Sequence, residues 1–187
     1  GVKQVYFADV DLFADALGRE KVTGVAEYVL PDGGVYKGEM KDGVMHGQGR
    51  QSFLDGRMYK GFFVNGQRNG QGGYSYTDGA KYIGEFHQGV IAGKGSYFFP
   101  DGSSYDGEFA KGMFEGRGTL YYQDGKKYVG SFKNDLPDGF GTLISADGSI
   151  YEGSFRAGRR NGTGKLVYPD GRIFDGEFKD DLFVDKD

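Results

Sequence analysis

The sequence predicts an all-β fold, an elongated single-layer antiparallel array of stacked β-hairpins that is twisted or grooved. Three observations predict it: 36 of the 187 residues are glycine, one pattern recurs every 23 positions, and short alternating segments separate the turn residues. Tyrosine and phenylalanine make up 16% of the chain. They supply enough apolar surface to pack such an array, so a disordered chain is not expected.

The repeat is defined by an aromatic residue at the start of each unit. These starting residues are Tyr36, Tyr59, Tyr82, Tyr105, Tyr128, Tyr151 and Phe174. A glycine follows two positions later and an apolar residue four positions later. Each unit then carries a Gly-x-Gly, as at 93–95, and closes with an Asp-Gly, as at 101–102. The spacing has no insertion or deletion, which chance does not produce.

The register predicts one continuous array over residues 1–187. It comprises a partial unit 1–12, a degenerate unit 13–35, full units 36–58, 59–81, 82–104, 105–127, 128–150 and 151–173, and a half unit 174–187. The segment 10–22 also has the three-to-four spacing of an amphipathic helix. Phe13 and Leu17 keep the repeat register, which favours a drifted pair of strands there.

Each unit is interpreted as two short strands joined by a tight turn. In the repeat 36–58, Tyr36 and Met40 fall on one face of the strand, and Lys37 and Glu39 fall on the other. At about 4.8 Å per strand, each unit lengthens the array by about 10 Å. Glycine at the Gly-x-Gly positions is expected to let aromatic rings of the adjacent unit lie against the backbone.

The turn between the two strands is expected to need a positive φ angle. Glycine supplies it in most units, and aspartate, which tolerates that region, takes the place in two. The positions are Gly43, Gly66, Gly89, Gly112, Asp135, Gly158 and Asp181.

The unit Tyr-x-Gly-x-Phe followed by Gly-x-Gly and Asp-Gly, clearest at 82–102 and 105–125, resembles the MORN repeat (membrane occupation and recognition nexus). The resemblance covers almost the whole chain. It is closest to the cytoskeletal scaffold proteins of unicellular parasites that consist of MORN repeats alone, whose arrays pair as antiparallel dimers. The resemblance to these scaffold proteins implies a structural, cytoskeletal role. That role rests on the resemblance alone, because the repeat identifies the fold far better than the function.

No catalytic or metal-binding group emerges from the pattern, so we expect no enzyme, no cofactor and no metal site. His46 and His87, the only histidines, occupy different repeat positions and pair with no nucleophile. The recurring Asp-Gly aspartates are explained by turn chemistry, because Asp can bond its own backbone two residues on. The chain has no cysteine, and we find no apolar run long enough for a signal peptide or a transmembrane helix.

Charge is unevenly distributed along a chain whose net charge is −4. That overall sign gives no reason to expect nucleic acid as a partner. Unit 151–173 carries +3, whereas residues 174–187 carry −4. This contrast predicts a homodimer in which the C-terminal edge pairs with the same edge of a second chain about a two-fold axis. The interface assigned to it is Arg156, Arg159, Arg160, Phe174, Phe178, Leu182, Phe183 and Val184.

Two alternatives to this dimer remain open. The acidic tail can simply solvate the end of the array. The basic residues can instead bind phosphoinositide headgroups, for which lysine and arginine are suited. The residues assigned to that role are Lys37, Lys60, Arg68, Lys81, Arg159, Arg160, Lys165 and Arg172. The expected location is the cytoplasm, in association with the cytoskeleton and other cytoskeletal proteins, at the inner face of a membrane.

Overall fold

The protein is described by a computed structural model that covers residues 3–4 and 23–184. The chain divides into two compact units, 1–91 and 92–187. The expectations for residues 5–22, including the amphipathic alternative, and for 185–187 fall outside the described residues. In both units the described elements are strands that lie in a sheet in the order of the chain.

In the first unit, the structure describes seven complete strands and the start of an eighth. They are β1 (Lys3–Gln4), β2 (Gly24–Val29), β3 (Val35–Lys41), β4 (Val44–Ser52), β5 (Met58–Val64), β6 (Gln67–Ser75), β7 (Lys81–His87) and β8 (Val90–Phe98), which continues into the second unit. Neighbours from β2 to β7 are antiparallel. Strand β1 is the exception, since it pairs with β2 in parallel. Residues 5–23 separate the two strands, and a parallel pair requires a long connection of this kind.

The second unit continues the same arrangement with strands of seven and nine residues in alternation. They are β9 (Ser104–Ala110), β10 (Met113–Tyr121), β11 (Lys127–Lys133), β12 (Leu136–Ile144), β13 (Ile150–Arg156), β14 (Arg159–Val167), β15 (Ile173–Lys179) and a last, three-residue strand β16 (Leu182–Val184). All neighbouring pairs from β8 to β16 are antiparallel. The predicted all-β, single-layer array of antiparallel hairpins is therefore confirmed.

Two-residue turns of type I′ join the strands within each repeat. Asp42 and Gly43, between β3 and β4, have φ angles of 51° and 81°. Positive φ at both central residues defines this turn, and its twist matches that of the strands. The expectation of positive φ is confirmed for all seven turn positions, including Asp135 at 69° and Asp181 at 72°.

In the hairpins β3–β4, β5–β6, β9–β10, β11–β12 and β13–β14, the second strand is longer than the first because it contains a bulge. In the second unit, Gly107 pairs with Gly118 and Phe109 with Phe114. These paired positions are two residues apart on β9 but four residues apart on β10. Gly116, inside the bulge, has a φ angle of 69°, a conformation that glycine adopts without strain.

The repeated tyrosines fill the inner face of the sheet by lying against glycine. Tyr105 is completely buried, and its ring occupies the space where a Cβ of Gly118 would be. The expectation that the adjacent unit supplies this ring is wrong, because Tyr105 and Gly118 belong to the same repeat. Tyr105 pairs with Leu120, and Gly118 is the diagonal neighbour two residues away, which an aromatic side chain reaches.

The adjacent repeat contributes a phenylalanine instead. Phe132 meets the edge of the Tyr105 ring at 4.9 Å between centroids and 81° between planes, and Phe109 does so at 5.2 Å and 87°. Edge-to-face pairs of this kind stabilise beyond the area that they bury. The Tyr105 hydroxyl donates a hydrogen bond of 2.9 Å to the Glu108 carbonyl beside the bulge, so its polar end is also satisfied.

Candidate functional site

The opposite, outer face of the sheet carries the charged residues, as the alternation predicts. Lys37 and Glu39 are exposed there, whereas Tyr36 and Met40 are buried on the inner face. Three parts of the molecule are candidates for binding: the C-terminal edge, formed by β15 and β16; a row of cations on the outer face of the first unit; and a shallow groove on the outer face of the second.

At the C-terminal edge, Arg160, one of the residues predicted to pair between two chains, pairs within its own chain. Arg160 Nε lies 3.3 Å from Asp181 Oδ1, and its Nη2 donates a 2.8 Å hydrogen bond to the Asp181 carbonyl. The guanidinium also lies over the rings of Tyr151 and Phe178, 5.6 Å from each centroid. Arg160 is therefore a packed residue of the inner face rather than an unmatched charge.

The other two arginines of this edge are freer. Arg159 approaches Asp180 at 3.8 Å, but both side chains are more than half exposed, so this pair contributes little. Arg156 is exposed at the end of β13.

The apolar residues of the edge divide into a packed group and an exposed group. Phe178 is 2% exposed and packs on Tyr151, so it belongs to the core. Phe174 and Phe183 are half-buried and meet at 5.3 Å between ring centroids. Leu182 is 72% exposed and Val184 40%. Among the described strands, β16 pairs with β15 only, so these two residues flank an edge with unpaired backbone groups.

The row of cations lies on three neighbouring strands of the first unit. Lys37 on β3 pairs directly with Arg50 on β4, and Arg50 pairs with Lys60 on β5. All three are exposed, and we call them the basic ladder. Glu27 reaches Lys37 at 3.2 Å from one side. Like charges placed directly opposite each other destabilise a sheet, so a multivalent anion would be favoured here.

Sequence reasoning named Lys37 and Lys60 for lipid binding and missed Arg50. The strand alternation placed the first two on the outer face, but the bulge before Arg50 hides its register. Once Gly38 is paired with Gly49, Arg50 falls between the two lysines. The position of Arg50 between the two lysines therefore follows from the pairing of the strands and not from the spacing of residues along the chain.

The remaining residues assigned to lipid binding are scattered. Arg68 is enclosed on the inner face by Tyr59, Tyr74 and Phe86, and its Nη2 bonds the Gly89 carbonyl at 3.1 Å. Arg172 stacks on Tyr168 and pairs with Asp170. Lys81 is exposed opposite Ser75, outside the basic ladder, and Lys165 is exposed opposite Glu152.

The groove of the second unit has a volume of about 380 Å³ and walls of mixed charge. Lys94 and Arg117 line it together with Asp106, Glu108 and Thr119. This mixture does not favour a ligand of either sign. The residues that the structure describes contain no group of three or more His, Asp or Glu side chains placed to hold a metal ion. No helix among them is long and apolar enough to cross a membrane.

The aspartates of the Asp-Gly turns are structural, as predicted. Each accepts a hydrogen bond from the backbone N–H two residues on, for example Asp101 from Ser103 at 2.8 Å and Asp147 from Ser149 at 2.9 Å. Hydrogen bonds from the Ser103 hydroxyl and N–H lower the pKa of Asp101 below its ordinary value, because they stabilise the carboxylate.

A comparison with known protein families identifies the same repeat. A family model described as MORN repeat matches residues 36–56, 59–81, 82–104, 105–127, 128–150 and 151–171, which confirms the resemblance inferred from the sequence. Among curated proteins, nothing matches the chain.

Solved structures show related sheets. The TCP domain of SAS-4 from Drosophila melanogaster, in complex with a proline-rich motif of Ana2, is similar over 88% of this chain and 92% of that chain, with 17% identity and a TM-score of 0.51. The G-box domain of the microcephaly protein CPAP is similar over 79% and 76%, with 19% identity and a TM-score of 0.49. At such identities the likeness concerns the fold alone.

Proposed function

The chain belongs to the MORN-repeat family, and we propose that it is a non-catalytic structural scaffold that forms an antiparallel homodimer through its C-terminal repeats and organises a cytoskeleton-associated or membrane-proximal assembly. The observation that carries the proposal is the exposed pair Leu182 and Val184 on β16, a strand that pairs on one side only among the described strands. An apolar strand edge of this kind binds another strand unless it is covered.

A second copy of the chain covers this edge in the simplest way. Two β16 strands related by a two-fold axis pair antiparallel, satisfy each other's backbone groups and bring the two Leu182–Val184 pairs together. The half-buried Phe174 and Phe183 on the inner face extend the contact. Since Arg160 is already paired within its own chain, the exposed Arg156, Arg159 and Asp180 are among the charges available for the contact.

Two observations from outside the chain support a scaffold with protein partners. The chain resembles the cytoskeletal scaffold proteins that consist of MORN repeats alone. The cytoskeletal part of the proposal rests on this resemblance. The SAS-4 TCP domain, which shares the fold, is in complex with a proline-rich motif of another protein. The outer face of this sheet carries exposed side chains along the array, so it offers a large binding surface.

The dimer is tested by light scattering coupled to size-exclusion chromatography on the whole chain. At the low protein concentration of the column, the wild-type protein is expected at twice 20.5 kDa, and Leu182→Asp with Val184→Asp is expected to give the monomer. Leu54→Asp is the matched control, since Leu54 is 79% exposed in a turn of the first unit. A monomeric wild-type chain, or a dimer unaffected by the paired substitutions, would contradict the edge contact.

A second candidate function is phosphoinositide headgroup binding by the basic ladder. Three cations in register, paired in the described structure with only Glu27, favour it. Arg50→Glu with Lys60→Glu is expected to abolish sedimentation with vesicles that contain phosphatidylinositol bisphosphate. Lys133→Glu with Lys179→Glu, two exposed sites elsewhere, makes the same change in net charge. Equal loss in both variants would indicate general attraction rather than a site.

A further inference from the structure

We infer that the outer face of strands β12–β15 is a second self-association surface, on which a second copy of the chain packs face to face. The surface is built on four aliphatic residues that are direct neighbours across four strands. Ile144 pairs with Ile150, Ile150 with Val167, and Val167 with Ile173. We call these four residues the apolar row.

The apolar row is exposed although nothing in the repeat requires it to be apolar. Ile144 is 36% exposed, Ile150 44% and Ile173 56%, whereas Val167 is half-buried. The same four repeat positions in the first unit are Ser52, Met58, Ser75 and Lys81, in the same register. Because the fold accepts serine and lysine at these positions, the structure of the hairpin does not explain the aliphatic residues of the second unit. A contiguous apolar surface of this kind marks an interaction site.

The neighbouring row of side chains identifies the partner through its charges. One step along the strands from the apolar row, on the same face, lie Thr142, Glu152, Lys165 and Asp175 in strand order. Glu152 on β13 is opposite Lys165 on β14. The centre of this row therefore carries one negative and one positive charge at the same height on adjacent strands.

A two-fold axis parallel to the strands, between β13 and β14, makes this surface complementary to itself. The axis places β13 of one copy over β14 of the other and preserves the position along the strands. Glu152 then faces the second copy's Lys165, and Lys165 faces the second copy's Glu152. Ile150 faces Val167, and Ile144 faces Ile173. Aligned sheets pack face to face in this way about 10 Å apart.

The contact is small, so it is expected to be weak. The two rows together would bury on the order of 1,000 Å² over both copies, which is near the lower limit for a specific interface. An association of this size is populated at high local concentration, such as within an assembly. The face contact does not depend on the edge contact of the proposed dimer. Together, the two different two-fold contacts would link chains into an open-ended assembly.

The test uses charge reversal and mixing of whole chains, measured by sedimentation velocity over a range of concentrations. Glu152→Lys alone places like charges across the contact, and so does Lys165→Glu alone. Each variant is expected to weaken self-association at least about tenfold. An equimolar mixture of the two variants restores both opposite-charge pairs and is expected to associate as well as the wild type. Restoration between chains cannot arise from altered stability of one chain. Absence of restoration would overturn the inference.

Removal of the apolar row separates this contact from the edge contact. Ile150→Lys with Ile173→Lys is expected to abolish the face contact, with Met58→Lys as the control at the same repeat position. In chains that carry Leu182→Asp and Val184→Asp, the face contact is expected to persist at high protein concentration. Loss of all association on changing the edge alone would overturn the face contact while supporting the proposed dimer. Loss of all association on changing the apolar row alone would overturn the edge contact of the proposed dimer while supporting the face contact. A chain that stays monomeric at every concentration overturns both.

Discussion

Arg160 and Asp181 form an ion pair inside one chain, with 3.3 Å between Nε and Oδ1 and three further hydrogen bonds between the residues. They lie 21 positions apart, on the second strand of one repeat and in the turn of the next. The pair therefore ties neighbouring hairpins together. It also neutralises part of the charge contrast between unit 151–173 and the acidic tail. That contrast was the basis for predicting a charged contact between two chains.

Replacement of Arg160 by alanine is expected to lower the free energy of unfolding by about 2 kcal/mol. The substitution removes charge-assisted hydrogen bonds and the packing of the guanidinium over two rings. Arg159→Ala, which removes the same charge from a 63% exposed side chain, is expected to change it by less than about 0.5 kcal/mol. Urea unfolding followed by circular dichroism measures both. Equal effects would show that Arg160 acts through charge alone.

Much of the fold could be predicted from the sequence because the same pattern of aromatic and turn residues recurs in every repeat. The spacing of Tyr82 and Tyr105 fixes the hairpin length, and Asp101-Gly102 marks the turn. The bulge could not be predicted, because it changes the pairing of β4 without changing the spacing along the chain. For the same reason the basic ladder was incomplete: Arg50 joins Lys37 and Lys60 only through register. The contacts of Arg68 and Arg160 were also missed, since stacking on rings depends on which inner-face positions lie side by side.

The two adjacent glycines of β6 are expected to respond oppositely to substitution by alanine. A Cβ at Gly72 would lie 2.5 Å from Cε2 of Tyr59, a completely buried ring. Gly72→Ala is therefore expected to lower the free energy of unfolding by about 3 kcal/mol. At Gly73 the nearest atom would be 3.8 Å away, and φ is not in the left-handed region. Gly73→Ala is expected to be neutral or to stabilise by about 0.5 kcal/mol, because alanine restricts the unfolded chain.

Thermal unfolding of the two variants measures this difference. Similar destabilisation by both would show that the strand resists any side chain at this point. Two mild effects would show that the Tyr59 ring moves aside.

The buried tyrosines are expected to make the protein unfold cooperatively at high pH. Burial raises the pKa of Tyr59, Tyr82 and Tyr128 from 10.0 to about 12 each. A group whose pKa is raised on folding contributes stability that is complete below its unfolded value. That stability is lost as the pH rises through the folded value. The loss is therefore expected between pH 10 and about 12, with phenolate absorbance and circular dichroism changing together.

Tyr128→Phe provides the control for this transition. It removes one ionisable core group and the hydrogen bond to the Ser131 carbonyl, so it costs about 1 kcal/mol at neutral pH. The alkaline loss of stability is expected to be shallower in this variant. Ionisation of every tyrosine near pH 10 without loss of structure would contradict the burial of these hydroxyls.

The turn position held by aspartate in two repeats is expected to distinguish glycines that can be replaced from those that cannot. The backbone N–H of Asp135 donates to the Phe114 carbonyl at 3.1 Å, and its carboxylate accepts from the Phe114 N–H at 2.8 Å. Asp181 makes the same two bonds with Arg160. A glycine makes only the first, as Gly89 does with the Arg68 carbonyl and Gly158 with that of Pro137.

Gly89→Asp can gain the second bond, because Arg68 has an N–H, whereas Gly158→Asp cannot, because proline has none. Both substitutions pay the cost of a side chain at positive φ, about 1 kcal/mol. Gly89→Asp also places a carboxylate beside the Arg68 guanidinium and so reproduces the arrangement of Arg160 and Asp181. We therefore expect Gly89→Asp to be more stable than Gly158→Asp by about 1–2 kcal/mol in urea unfolding. Equal stabilities would mean that aspartate occupies this turn only for its tolerance of positive φ.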